Sequence, residues 1–167
     1  MRRERVTKPF RAKSAEEALA SLMRQCARAE KSSGDAMRLM ARWGVAEAER
    51  GEVLAQLIAD KFIDDGRYAE AYVREKLNLS GWGVRKIATS LKVKGVAPSI
   101  IGEVLAEVDR ESMSERLLGK VERKARTTKY KDQYDLKGKL IRYALSLGYD
   151  YDMALDAVSQ IVTTEHE

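Results

Sequence analysis

The side chains that most often carry out covalent or acid–base chemistry are nearly absent from this sequence. Cys26 is the only cysteine and His166 the only histidine. Cys26 falls at helical spacing with Leu19, Leu22 and Met23, where a thiol acts as a small buried hydrophobe rather than a nucleophile. His166 stands next to the last residue, a poor mount for a general base. Cys–His and Ser–His nucleophilic schemes, and the common zinc sites, therefore lack donors. The acidic pairs Asp64-Asp65 and Asp150/Asp152 are not set in a glycine-punctuated calcium loop with its closing glutamate, and they read as helix caps. Gly81-Trp82-Gly83 is too short for a nucleotide loop, and no GxxxxGK[ST] or GxGxxG pattern occurs. The chain is expected to be no enzyme, with no catalytic residue, metal, cofactor or small-molecule substrate.

Recognition is the chemistry that remains, and it concentrates at 62–96. There Phe62, Ile63, Ala69, Tyr72 and Val73 fit an apolar stripe, while Arg67, Arg74, Arg85 and Lys86 do not. Tyr68 and Trp82 stand among these cations, and half-exposed aromatics mixed with arginine make effective binding hot spots. The equally simple alternative is buried aromatics beneath snorkelling cations.

Helices must position these residues. Two prolines, two phenylalanines and 34% charged residues favour an all-α chain over a sandwich of strands. Nine helical segments are expected, at about 14–30, 34–43, 46–61, 64–79, 83–94, 98–108, 112–127, 136–147 and 151–162. Ser14-Ala15-Glu16-Glu17 and Ser112-Met113-Ser114-Glu115 have the form of capping boxes. Asp64 and Asp150 suit N-caps, and Pro98 suits a first turn.

The segments repeat in threes. Gly44, Gly95 and Gly148 each close a second helix, where a left-handed residue costs glycine least. Four residues before each stands Met40, Leu91 or Ala144, and eight before stands Ala36, Ile87 or Leu140. One residue after stands Val45, Val96 or Tyr149, and further on come Val53-Leu54-Leu57, Val104-Leu105-Val108 and Ala157-Val158-Ile161. The expected fold is a tandem array of three three-helix repeats, elongated and curved. Its divisions are a basic flexible arm at 1–13, repeats at 14–62, 63–108 and 109–163, and a tail at 164–167.

Charge follows the same plan. The net +5 resides in Arg2, Arg3, Arg5, Lys8, Arg11 and Lys13 against Glu4, so that 14–167 is neutral. The third helices are acidic, which disfavours a groove-reading helix-turn-helix role for them, because phosphates repel such helices. The second helices of repeats two and three are basic, with Arg85, Lys86, Lys92 and Lys94, then Lys137, Lys139 and Arg142. No apolar run is long enough for a membrane span and the first residues are polar, so a cytoplasmic protein without membrane contact is expected.

The middle segment resembles the RecX family of recombinase regulators. Ile63, Asp64, Asp65, Arg67, Tyr68, Ala69, Tyr72, Val73, Trp82, Gly83, Lys86, Ile87, Leu91, Lys94, Gly95 and Val96 match that family's pattern in order and spacing. The family is also a tandem array of three-helix repeats. Many members have proline where this chain has Val84, and more cations where it has Asn78-Leu79-Ser80. The resemblance implies a protein that binds the RecA–DNA filament and restrains its ATPase and strand exchange, with DNA contacted within the filament. The expected contact group is Arg67, Tyr68, Arg74, Trp82, Arg85 and Lys86, extended by Lys137, Lys139 and Arg142. A second reading is a stand-alone DNA-binding protein using the arm and the basic run Lys120, Arg123, Lys124, Arg126, Lys129 and Lys131.

Overall fold

The computed structural model describes residues 10–162. Arg2, Arg3, Arg5 and Lys8 of the basic arm, and the tail with His166, lie outside the described residues. Within them the chain forms nine α-helices: α1 Ala15–Arg28, α2 Ser33–Arg42, α3 Glu47–Ala59, α4 Asp65–Glu75, α5 Val84–Val93, α6 Pro98–Ala106, α7 Arg110–Thr127, α8 Gln133–Ser146 and α9 Tyr151–Ser159. A single π-helical turn, Lys76–Ser80, follows α4. There is no strand among the described residues. The fold is an all-α array of helical repeats, as the sequence pattern implies.

Each repeat turns on the same local device. Gly44, Gly95 and Gly148 have φ of 75°, 81° and 94°. The amide after each glycine donates back to the carbonyl five residues earlier: Val45 to Met40 (3.0 Å), Val96 to Leu91 (3.1 Å) and Tyr149 to Ala144 (3.3 Å). Each glycine amide donates to the carbonyl three residues earlier, at 3.0–3.1 Å. These paired bonds form a Schellman motif, which satisfies the last carbonyls of a helix and brings an apolar residue beyond the glycine onto one in the last turn. All six flanking side chains are buried. The repeated sequence columns are therefore a helix-ending motif and its hydrophobic seal.

The chain divides into two compact units at Tyr68/Ala69. In the first, α3 packs on α1 and α2 around Leu22, Ala36, Met40, Leu57 and Ile63. Cys26 joins this core half-buried, and burial, with Glu30 second, pushes its thiol above the usual range. The residues just before α1 are also held: Lys13 N–H donates to the Trp43 carbonyl (2.9 Å) and its ammonium lies 5.0 Å from the Trp43 ring. In the second unit α5 packs on α6, and α7, α8 and α9 pack on one another around Leu117, Val121, Leu140, Ala144 and Val158.

The caps agree with the sequence in part. Ser14 Oγ accepts from Glu17 N–H (3.1 Å), but the Glu17 carboxylate meets Arg11 (3.1 Å). The reciprocal box forms instead at Ser32 and Asp35. Asp150 caps α9 through Met153 N–H at 2.8 Å. Ser112 caps nothing: α7 starts two residues earlier, capped by Asp109, whose carboxylate accepts from Glu111 N–H (3.0 Å). Likewise α8 starts at Gln133 because Asp132 accepts from Asp135 N–H (2.8 Å). The helix expected to reach residue 79 ends at Glu75. Its continuation widens into the π turn and stops at left-handed Gly81, with φ 66°.

Candidate partner-binding site

Trp82 is placed by backbone geometry on both sides. Before it, Gly81 reverses the chain, and Trp82 N–H donates to the Lys76 carbonyl (2.9 Å). After it, Gly83 meets the turn between α8 and α9. Gly83 N–H donates to the Leu147 carbonyl (2.7 Å) and Arg85 N–H to the Gly148 carbonyl (3.0 Å). These bonds satisfy amides at the start of α5 that the helix itself leaves without acceptors. The approach is so close that a Cβ on Gly83 would lie 2.5 Å from the Gly148 oxygen, and one on Gly148 would lie 2.6 Å from Lys86 N. Both glycines are thus required where two backbones touch.

The half-buried indole of Trp82 is flanked by two cations. Lys76 Nζ lies 4.8 Å and Lys86 Nζ 4.5 Å from its ring centroid, within cation–π range. Lys76 also lies 5.2 Å from the Tyr72 ring, and the Tyr72 hydroxyl is hydrogen-bonded to Ser90. Lys76 was not among the residues picked from sequence, although its position one turn after Tyr72 places both on one helix face. Arg74, Arg85 and Lys86 are exposed, and of the four cations in this stretch Lys76 and Lys86 lie against the indole.

The remaining expected contacts behave differently. Tyr68 is 8% exposed, so it is a core residue and not a half-exposed contact; the amphipathic phase of α4 turns it inward with Ala69 and Val73. Arg67 is held by its own unit: Nε donates to Glu30 (2.6 Å), and Nη2 to the carbonyls of Lys61 (3.1 Å) and Phe62 (3.3 Å). The Glu30 hydrogen bond, the largest cause, raises the Arg67 pKa further. Asp65 supports the same corner by accepting from Ser33 N–H (2.8 Å). In the third repeat Lys139 is tied to Asp135 (3.0 Å) and to the Lys129 carbonyl (2.7 Å). Arg142 is exposed and Lys137 half-buried. Of the basic run on α7, Lys124 lies 5.2 Å from the Tyr143 ring, and Lys120 lies across the bare Cα of Gly81.

An all-α chain of glycine-turned repeats with a cationic aromatic segment in its middle is a helical-repeat protein, and known proteins share that architecture. Residues 64–105 match the model of RecX, second three-helix domain. The regulatory protein RecX of Clostridium botulinum (strain Eklund 17B / Type B) is 36% identical over 106 residues, which cover 62% of this chain and 49% of that protein. The regulatory protein RecX of Streptomyces lividans is 29% identical over 140 residues, 84% of this chain and 73% of that one. The chain spans about half the length of the clostridial relatives it matches. A crystal structure of RecX from Lactobacillus salivarius shares the fold, with a TM-score of 0.78 and 21% identity over 89% of this chain and 96% of that one. These matches agree with the resemblance read from the middle segment: the chain is similar to regulatory proteins named RecX, most specifically over residues 64–105. No helix of the described residues is long and apolar enough to cross a membrane.

Proposed function

We propose that this chain binds the RecA–DNA filament without covalent chemistry and restrains its ATPase and strand exchange. The observation that carries the reading is the group Lys76, Trp82, Lys86, Arg74 and Arg85, which lies wholly inside the stretch matching the RecX second domain. An indole held between two lysines offers a rigid, partly apolar anchor, and the exposed Arg74 and Arg85 of the same stretch offer charge to phosphate or to acidic side chains. In this proposal Arg74, Trp82, Arg85 and Lys86 make the central contact, with Lys137 and Arg142 extending it. Arg67 and Tyr68 contribute by holding the corner from which α4 departs, and Lys139 by fixing the start of α8. The functional repeats are 14–62, 63–108 and 109–163.

The test is binding of the full chain to RecA filaments on single-stranded DNA, compared with an Arg85→Glu/Lys86→Glu variant. Both side chains are exposed, so circular dichroism is expected to match the wild type. Affinity is expected to fall at least about tenfold, the equivalent of roughly 1.4 kcal/mol. Equal binding by both proteins would remove this contact group.

A further inference from the structure

Helix α8 carries an aromatic side chain, Tyr134, away from the face it buries against the core. Leu136, Leu140 and Ala144 point inward and are buried. A second stripe, Tyr134, Lys137, Gly138, Ile141 and Arg142, is spaced i, i+3, i+4, i+7 and i+8, with Ile141 at its edge half-buried against the core. Tyr134 is 83% exposed, and Tyr151, the first residue of α9, is 53% exposed. Both rings line an open groove of about 610 Å³, within the usual size range of ligand clefts.

The floor of this groove is built by an absent side chain. A Cβ on Gly138 would meet Arg142 Nη1 at 3.4 Å, so the guanidinium folds back across bare helix backbone. Glycine weakens a helix interior relative to alanine, and here that cost opens a concave surface between the two tyrosines. The groove's acids are already engaged. Asp132 caps α8, and Asp135 accepts from Lys131 N–H and from the Lys139 ammonium (both 3.0 Å). Those bonds, the backbone one first, hold the Asp135 carboxyl below the usual carboxylate range. The cations are not engaged: among the described residues no carboxylate lies within ion-pair distance of Lys131, Lys137 or Arg142.

We propose that this groove takes a single-stranded nucleic acid, with bases stacked on Tyr134 and Tyr151 and phosphates on Lys131, Lys137 and Arg142. Exposed ring faces interleaved with unpaired cations fit that ligand in both its parts, because every base has a π-face and every link a charge. A duplex keeps its base faces stacked on one another, and an acidic peptide would use the cations but leave the rings idle. The inference deepens the filament reading by assigning a nucleic-acid contact to the third repeat, and it is tested without any recombinase.

The experiment is fluorescence anisotropy of the full chain with labelled oligothymidylate and with an abasic oligomer of the same phosphate count. Oligothymidylate is expected to bind about tenfold or more tightly than the abasic strand, in line with the usual gain from base–aromatic stacking. Tyr134→Ala/Tyr151→Ala is expected to remove that difference while keeping the helical circular dichroism, and Tyr134→Phe/Tyr151→Phe to retain it. Equal affinity for the two oligomers, unchanged discrimination in the alanine variant, or no binding of oligothymidylate would each overturn the proposal. Filament binding by the same preparation shows separately whether the recombinase reading survives.

Discussion

Tyr149 follows the third glycine turn, where the other repeats have Val45 and Val96. It is buried at 2% exposure, and that burial pushes its phenol above the usual range. A folded-state value above the unfolded one means that the native protein holds this proton more tightly. The stabilisation is complete below about pH 10, the unfolded value, and is lost as pH rises through the folded value. Urea midpoints are therefore expected to hold steady from neutral pH upward and to fall in the alkaline range. Tyr149→Phe is expected to lessen that fall, and an identical profile in the variant would show that the phenol is not responsible. Other residues show how far sequence reaches at this scale. The type and phase of Trp82, Arg85 and Lys86 are legible in the sequence. The partners that decide a cation's availability are not, because tertiary packing supplies them. Arg67 is taken by Glu30, 37 positions away, whereas Arg85 engages Gly148 and Thr89 through its backbone amide and carbonyl. Tyr68 looked half-exposed beside its arginine, yet the turn of α4 buries it.

At the scale of elements, the glycine turns were fully legible because a Schellman motif is local: six consecutive residues contain both its bonds and its seal. Start positions were less so. A serine and a glutamate three residues apart suggested a cap at Ser112, but Asp109 lies upstream and captures the free amide first. The π turn at 76–80 is not legible in the sequence, although the left-handed Gly81 that ends it, against which Lys120 of α7 lies, is a glycine the sequence shows. The junction of Gly83 with Gly148 gives the sharpest prediction here. Gly83→Ala forces a methyl into the Gly148 backbone, and overpacking of that kind costs about 1–3 kcal/mol. Gly51 in α3 and Gly102 in α6 have nothing within 4 Å of an added Cβ, so alanine there is expected to stabilise by about 0.5–1 kcal/mol each. Thermal or chemical denaturation of the three variants decides it. A tolerated Gly83→Ala would mean that the backbones of α5 and the α8–α9 turn do not meet this closely.

For the molecule as a whole, the basic isoelectric point is a poor guide, because residues 14–167 are neutral and the excess charge belongs to the first thirteen. What matters is how charge is sorted between successive helices and which cations stay free of internal partners. Three glycine-turned repeats provide repeated mounts for such groups, one at the middle repeat and one on α8. A partner that extends along its own axis, such as a nucleoprotein filament, suits contacts distributed over several repeats better than a single pocket does. The recombinase as partner comes from the family and not from charge or packing, so it requires a direct test. That test is the ATPase of RecA on single-stranded DNA, titrated with the full chain. A saturating fall in hydrolysis at micromolar protein is expected, weakened by Arg85→Glu/Lys86→Glu. Hydrolysis that stays constant through that range would contradict it.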